Sequence, residues 1–93
     1  MIATNIYLDW NCGGCDNYLD EVGKCCTKLN TQYTLTTCDV DPIAVFTELK
    51  RLRSNGHVIE YLPMLVISNN KTEEVHSGIL DRETVKNIFK KYE

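Results

Sequence analysis

Two cysteines separated by two glycines, Cys12 and Cys15, are the residues of this sequence best suited to chemistry. They closely follow a short apolar segment, within the stretch IYLDWNCGGCDNYLDE at residues 6–21. Two cysteines at this spacing occur as half of a metal site, as a structural disulfide or as a redox-active pair. The rest of the sequence has to decide between these three interpretations.

A metal site would need ligands beyond this pair. Zinc and iron–sulfur centres use about four, and a second Cys-x-x-Cys or a His pair usually supplies the others. The sequence contains neither a second Cys-x-x-Cys nor a matching His pair. Cys25 and Cys26 do not replace them, because adjacent residues on a helix point about 100° apart. We therefore expect no resident metal, although a cluster shared by two subunits through Cys12 stays open.

Length, composition and charge exclude several classes of function. A chain of 93 residues with 43% hydrophobic and 25% charged residues is an ordinary globular composition, and we expect one domain over residues 1–93. The net charge of -3 gives no basis for nucleic-acid binding, since the ten Lys and Arg residues are scattered along the sequence. The sequence shows neither a signal-peptide pattern nor an apolar run near the ~18 residues of a membrane span. We expect a cytoplasmic monomer that binds no membrane.

The five cysteines need an explanation in such a compartment. Permanent disulfides are rare in the reducing cytoplasm, so catalysis, metal binding or burial has to account for them. Cys26 and Cys38 fit small buried hydrophobic residues, and Cys25 is expected at the edge of the core.

The hydrophobic pattern predicts seven elements in the order β-α-β-α-β-β-α. The predicted strands are residues 5–9, 33–40, 62–68 and 73–79, and the later predicted helices are residues 43–54 and 82–93 with Asp81 as an N-cap. The first helix is expected to begin at the cysteine pair and to bury a stripe that includes Leu19, Val22, Cys26 and Leu29. The second helix is expected to bury Val45, Phe46, Leu49 and Leu52.

This order of elements predicts an architecture. A βαβ start requires a parallel strand pair with a right-handed crossover, and the later hairpin adds antiparallel strands. We expect a four-stranded mixed sheet with helices on both faces, in three α/β/α layers. The loop after the first strand would lie at the carboxyl ends of the parallel strands, the usual place for a site, and this loop carries Cys12 and Cys15.

The two cysteines are expected to differ in reactivity. Cys12 would lie where the first helix begins, so that unpaired N–H groups and the helix dipole favour its thiolate. Lowering a cysteine pKa from about 8.5 to about 7 raises the thiolate fraction at neutral pH from roughly 3% to one half. Cys15, one turn further and on the apolar stripe, would be more buried. This suits attack by Cys12 on a disulfide and resolution of the mixed disulfide by Cys15.

Two further residues stand out near the pair. Pro63 precedes the most apolar strand, and a proline without an N–H belongs at a strand start or edge. Since only ~5% of X–Pro bonds in folded proteins are cis, the pattern alone favours an ordinary trans proline. Asp9 lies three residues before Cys12 and is a candidate for proton transfer, although carboxylates at strand ends are usually solvated or capping.

Taken together, these motifs resemble the thioredoxin and glutaredoxin superfamily. The shared features are Cys-x-x-Cys at a strand-to-helix junction, an apolar residue and proline at the third strand, and a glycine near the end of the fourth. The segment CDVDP resembles the acidic segment after the second strand of the family, and HSGILDRETVKNIFKKY resembles its last strand and helix. The resemblance covers nearly the whole chain and implies a thioredoxin-like fold.

The resemblance also implies roles for individual residues. Cys12 would be the nucleophile, Cys15 the resolving thiol, and their disulfide the only redox group, with no other cofactor. The Leu62–Pro63 peptide bond would be cis and close to the pair, and the backbone of Leu62 would bind the substrate chain as an added strand. Substrate contacts are implied for Trp10, Asn11, Leu62, Pro63 and Gly78.

Two departures from the family pattern bear on the partner. Asn11 separates Trp10 from Cys12, and Gly13 and Gly14 occupy the variable positions, which leaves the redox potential open. The length is that of a glutaredoxin. The glutathione-binding pattern is poorly matched, however, because Leu62 replaces the usual Thr-Val before proline and the paired glycines are missing. We expect weak or no glutathione binding.

The implied function is that of a thiol-disulfide oxidoreductase that reduces disulfides of proteins. A thioredoxin-reductase-type enzyme or glutathione would supply the electrons, and ribonucleotide reductase is one candidate client. A metal or iron–sulfur carrier on the same fold is the alternative.

Overall fold

A computed structural model describes residues 2–10 and 12–93 of the chain. These residues form four strands and three helices in the predicted order. The elements are β1 (Ala3–Leu8), α1 (Asp16–Lys28), β2 (Tyr33–Thr37), α2 (Pro42–Ser54), β3 (Met64–Ser68), β4 (Glu73–Ser77) and α3 (Arg82–Lys90). No helix in the described part of the chain has the length and apolar character needed to cross a membrane.

The strands form one mixed sheet in the order β2-β1-β3-β4. The β1 strand pairs in parallel with β2 and antiparallel with β3, and β3 pairs antiparallel with β4. Helix α1 makes the crossover that a parallel pair requires. The predicted four-stranded mixed sheet is therefore confirmed.

The helices cover both faces of this sheet. Alternation along β1 directs Ile6 and Leu8 to a core shared with α1 and α3, whereas Tyr7 joins Val45 and Leu52 on the α2 side. The predicted three-layer arrangement is confirmed. It encloses two separate cores, and β1 and β3 contribute to both.

Two helices bury somewhat different faces from those predicted. In α1, Val22 and Cys26 are buried as expected, but Tyr18, which was not predicted, is only 1% exposed and Leu19 is half-buried. The prediction that α2 buries Phe46 is wrong, because this side chain is 51% exposed. Since Val45 already faces the core, the next residue is turned about 100° away from it.

The first helix also begins later than predicted. Cys15 is its N-cap and Asp16 its first residue, so Cys12 lies before the helix and Cys15 is not one turn inside it. Gly13 and Gly14 form a turn between the cysteines, and Gly14 has a φ of 89°, which a right-handed helix does not allow. For α3 the prediction is confirmed, because the Asp81 side chain accepts a hydrogen bond from the Thr84 N–H at 2.7 Å.

Candidate redox site

One edge of the sheet collects the predicted site residues. The register pairs Leu8 with Thr37 and Tyr7 with Met64, and Met64 in turn with Ser77. The ends of β1, β2 and β4 and the beginning of β3 therefore lie side by side, and all three helices start there. We call this region the cysteine edge; it comprises residues 9–10, 12–16, 38–43, 60–63 and 78–83.

Cys12 and Cys15 form a disulfide bond at this edge. Their Cα atoms are 5.7 Å apart, which lies within the usual range for disulfides. The predicted difference in exposure is present, since Cys12 is partly buried and Cys15 is only 2% exposed. Because Cys15 caps α1, both bonded sulfur atoms lie near the amino terminus of that helix. Although α1 begins later than predicted, its amino terminus still lies near Cys12, and the helix dipole still favours a thiolate there.

The peptide bond between Leu62 and Pro63 is cis, as the family resemblance implied. Pro63 is buried, and its carbonyl oxygen accepts a hydrogen bond from the Gly78 N–H at 2.8 Å. The sheet register of β3 begins only at Met64, so Leu62 lies outside the ladder of paired strands. The two predicted substrate residues are therefore fixed at the sheet end nearest to the cysteine loop.

The ring of Tyr61, a residue that the sequence pattern did not identify, lies next to Gly78. The φ of Gly78 is 93°, and a Cβ at this position would lie 3.0 Å from the ring atom Cε2 of Tyr61. The Tyr61 ring is largely exposed and packs against Gly78. A signal for this residue was present in the sequence, because an aromatic side chain directly precedes Leu62 and Pro63.

Asp9 and Trp10, two further predicted site residues, lie in the loop after β1. Trp10 is half-exposed, and its backbone N–H donates a hydrogen bond to Asp9 Oδ1 at 2.7 Å. Asp9 also acts on Cys38, since burial and then the negative charges of Asp9 and Asp39 raise the pKa of that thiol. A proton-transfer role for Asp9 stays a prediction. Asn11 lies outside the described residues.

The other three cysteines are poor nucleophiles. Cys26 and Cys38 are buried as predicted, and burial raises the pKa of each thiol. Cys25 is partly buried and donates a hydrogen bond to Glu21 Oε2 at 3.6 Å. Burial, the charge of Glu21 and this hydrogen bond raise the pKa of Cys25 to about 11. None of these thiols would ionise appreciably at neutral pH.

A metal site requires several ligand side chains close to one another. Within residues 2–10 and 12–93, no three His, Cys, Asp or Glu side chains are grouped so that they could bind one metal ion.

Comparisons with known proteins identify the fold. No family model and no curated protein matches the sequence. Among solved structures, one described as a malarial protein is similar, with a TM-score of 0.62 and 19% identity over 97% of this chain and 94% of that chain. Chloroplastic thioredoxin z is also similar, with a TM-score of 0.60 and 17% identity over 97% of this chain and 76% of that chain. At such identities the likeness shows the fold alone, and it confirms the predicted thioredoxin-like fold.

Proposed function

We propose that this protein is a thiol-disulfide oxidoreductase that reduces disulfide bonds in other proteins. The observation that carries the proposal is the Cys12–Cys15 disulfide, which joins a partly exposed sulfur to a buried one at the amino terminus of α1. A thioredoxin-like fold with this pair at the cysteine edge supports a redox role.

The proposed reaction starts from the reduced pair. The Cys12 thiolate attacks one sulfur of a target disulfide, forms a bond to it and releases the other target sulfur as a thiolate that takes up a proton. The Cys15 thiol then loses its proton and attacks the Cys12 sulfur. This second step closes the Cys12–Cys15 bond and releases the second target thiol. Two electrons and two protons have passed to the target.

The exposure of the two sulfur atoms supports this division of roles. A target can approach Cys12, which is partly exposed, whereas Cys15 is almost fully covered by the core of α1 and α3. Cys15 can therefore react only with a sulfur that is already bonded to Cys12. The helix amino terminus stabilises negative charge on either sulfur as it forms.

The backbone near Pro63 supports a role in holding the target chain. Leu62 precedes the first paired residue of β3, and the hydrogen bond from Gly78 to Pro63 fixes the segment on its other side. A target segment that paired with the Leu62 backbone would lie as an extra short strand beside the cysteine loop. Trp10 and Tyr61 offer exposed aromatic surface for its side chains.

The finer parts of the proposal concern its setting. We place the protein in the cytoplasm, with a thioredoxin-reductase-type enzyme as the preferred electron donor. Glutathione is the less favoured donor, because the residues before Pro63 and after Gly78 do not match the glutathione-binding pattern. Ribonucleotide reductase is one candidate client. Parallel recycling assays with the two donor systems would decide which of them reduces the Cys12–Cys15 disulfide.

Insulin reduction by wild-type protein and single cysteine variants tests the proposal. With dithiothreitol as electron source, we expect Cys12→Ser and Cys15→Ser to lose catalysis, and Cys15→Ser to accumulate a mixed disulfide with the target. Cys25→Ser is the matched control, because this thiol is also partly buried but lies in the second half of α1. Insulin reduction by Cys12→Ser at the wild-type rate would reject the proposal.

A further inference from the structure

Most of the exposed large hydrophobic residues of the described chain lie at the cysteine edge. Five large hydrophobic residues there are each more than half exposed; they are Trp10, Val40, Ile43, Tyr61 and Ile79. They come from the loops after β1, β2 and β4, from the start of α2 and from the segment before β3, so they follow the whole edge. Exposed apolar side chains distributed in this way indicate a surface that contacts a partner.

The carboxylates of the chain divide into two groups. Six form ion pairs with Lys, Arg or His; these are Asp20, Glu21, Glu48, Glu73, Glu74 and Glu93. The other seven form no ion pair with a described residue, and all of them lie at the cysteine edge. We call this second group the acidic rim; it consists of Asp9, Asp16, Asp39, Asp41, Glu60, Asp81 and Glu83.

Positive side chains are concentrated at the opposite end. Eight of the ten Lys and Arg residues lie in the second halves of the helices, just after α3 or in the β3–β4 turn, and Lys86 lies at the middle of α3; the eight are Lys24, Lys28, Lys50, Arg51, Arg53, Lys71, Lys90 and Lys91. The tenth, Arg82, starts α3 at the cysteine edge, but its guanidinium is bound to Asp20 and Glu21 at 3.2 and 3.0 Å. Charges that are scattered along the sequence are thus segregated in the fold.

Helix capping explains only part of the acidic rim. Four of its members lie at the N-cap or in the first turn of a helix, where a carboxylate is favourable in any protein. Asp9, Asp39 and Glu60 lie in loops outside the helices and are exposed. These three, which serve no helix, carry the argument for a binding role.

We propose that the cysteine edge selects target disulfides that lie in positively charged segments. The preferred partner is a protein segment with apolar residues next to its cysteines and Lys or Arg flanking them. The apolar residues would contact Trp10, Tyr61 and their neighbours, and the flanking cations would meet the acidic rim. This inference rests on the proposed function, because it names the class of target for the same pair.

The electrostatic effect acts mainly on the rate of encounter. A surface of one sign raises the association rate of an oppositely charged partner by about 10-fold or more at low ionic strength, and salt removes the gain. The chemistry itself is unchanged. Reduced protein and a disulfide peptide give the Cys12–Cys15 disulfide and the peptide dithiol, with two electrons and two protons transferred.

Single-turnover reduction of three peptides tests this inference. The peptides share one disulfide loop with apolar residues and differ only in two flanking positions, which are Lys, Gln or Glu. Pre-reduced protein is mixed with each peptide, the reaction is quenched with acid, and the peptide dithiol is quantified by chromatography. Each rate is divided by the rate with dithiothreitol, which also reacts as a thiolate but has no charged protein surface around it, so that intrinsic differences between the peptides cancel.

Two variants with the same change in net charge locate the effect. Asp39→Asn with Glu60→Gln removes two negative charges from the acidic rim, and neither residue caps a helix. Gln32→Lys with Asn70→Lys adds two positive charges at exposed positions at the opposite end of the sheet. Both variants keep every residue of the proposed catalytic machinery.

We expect wild-type protein to reduce the Lys peptide about 10-fold faster than the Glu peptide at low salt, with the Gln peptide in between. The ratio should approach one in about 0.5 M NaCl, where charges are screened within roughly 4 Å. The rim variant should lower the low-salt ratio to about 3-fold, whereas the control variant should keep it. Equal rates for the three peptides, or a ratio that the rim variant leaves unchanged, would overturn the inference while the proposed function stands. If dithiothreitol reduces the peptides and the protein reduces none, both fail.

Discussion

The two ends of the sheet use carboxylates in opposite ways. At the end away from the cysteines, Glu74 is bound by His76 Nε2 at 2.6 Å, by Lys91 Nζ at 2.5 Å and by the hydroxyl of Tyr92. At the cysteine edge, Asp39 and Glu60 are exposed and form no ion pair with the described residues. Carboxylates at the far end therefore join the elements of the fold to one another, whereas Asp39 and Glu60 do not, and these two are the ones that we propose contact a partner.

The cysteines also differ between the two ends of helix α1. The Cys12–Cys15 pair lies at the amino terminus of this helix, where the dipole stabilises negative charge. Cys25 lies in the second half, hydrogen-bonded to Glu21, where the dipole and the carboxylate both oppose a thiolate. The fold thus places the Cys12–Cys15 pair where the helix dipole favours a thiolate and Cys25 where it opposes one. This comparison leads to three predictions, which follow in order of decreasing expected effect.

Alkylation of the reduced protein should show the largest difference. At neutral pH we expect iodoacetamide to modify Cys12 at least about 100-fold faster than Cys25, because thiolates are the reactive form. The pKa of Cys25 is raised to about 11, so its alkylation should accelerate only as the pH rises toward that value. Peptide mapping by mass spectrometry at successive times measures both rates in one sample.

Glu21→Gln serves as the control for this prediction. It removes the charge beside Cys25, so the Cys25 rate should increase while the Cys12 rate stays the same. Similar alkylation rates for the two cysteines in wild-type protein would contradict the proposed contrast between the ends of α1.

Loss of the Glu74 carboxylate should show the next largest effect. Burial opposes its charge, but hydrogen bonds from Lys91, Tyr92 and His76 lower the pKa of Glu74 to about 2. We expect Glu74→Gln to reduce the free energy of unfolding at pH 7 by about 1 to 2 kcal/mol, because charged hydrogen bonds are lost. Glu93→Gln, which breaks an exposed pair with Lys28, should cost less than about 0.5 kcal/mol. Urea unfolding of the three proteins measures both values.

The pH dependence of this difference follows from the direction of the shift. The folded-state pKa of Glu74 lies below its ordinary value of 4.5, so its contribution is complete above pH 4.5 and is lost as the pH falls toward 2. The gap in stability between wild-type protein and Glu74→Gln should therefore shrink over that interval. A gap that stays constant from pH 5 to about 2 would show that the ionised carboxylate does not provide the stabilisation.

Much of the fold was predictable because its signals are local. The apolar runs of β1 and β3, Asp81 as an N-cap and the position of Pro63 each determine structure within a few residues. The beginning of α1 was mispredicted because the hydrophobic pattern does not encode the positive φ of Gly14. Phe46 was assigned to the core because it is adjacent to the stripe that α2 buries, and spacing alone does not resolve a rotation of one residue.

The character of the site was less predictable than its position. The sequence correctly predicts Cys12 and Cys15 between β1 and α1, but ion pairs such as Arg82 with Glu21 join residues about sixty positions apart. Which carboxylates remain outside ion pairs depends on such long-range contacts. The acidic rim therefore cannot be recognised until the strand register and the starts of the helices are known.

Two glycines of the chain should give single effects no larger than that of Glu74→Gln, but with opposite signs. Gly78→Ala places a Cβ 3.0 Å from the Tyr61 ring at a φ of 93°, so we expect a loss of about 1 to 2 kcal/mol in the free energy of unfolding. Gly23→Ala, within α1, meets nothing within 4 Å and should instead stabilise the fold by about 0.5 to 1 kcal/mol. Urea unfolding gives both values, and insulin reduction should slow only in Gly78→Ala. Destabilisation by Gly78→Ala together with stabilisation by Gly23→Ala would show that the glycine at the cysteine edge is needed for its conformation and its contact with Tyr61. Equal changes in the free energy of unfolding for the two variants would mean that helix propensity and backbone strain do not distinguish the two positions.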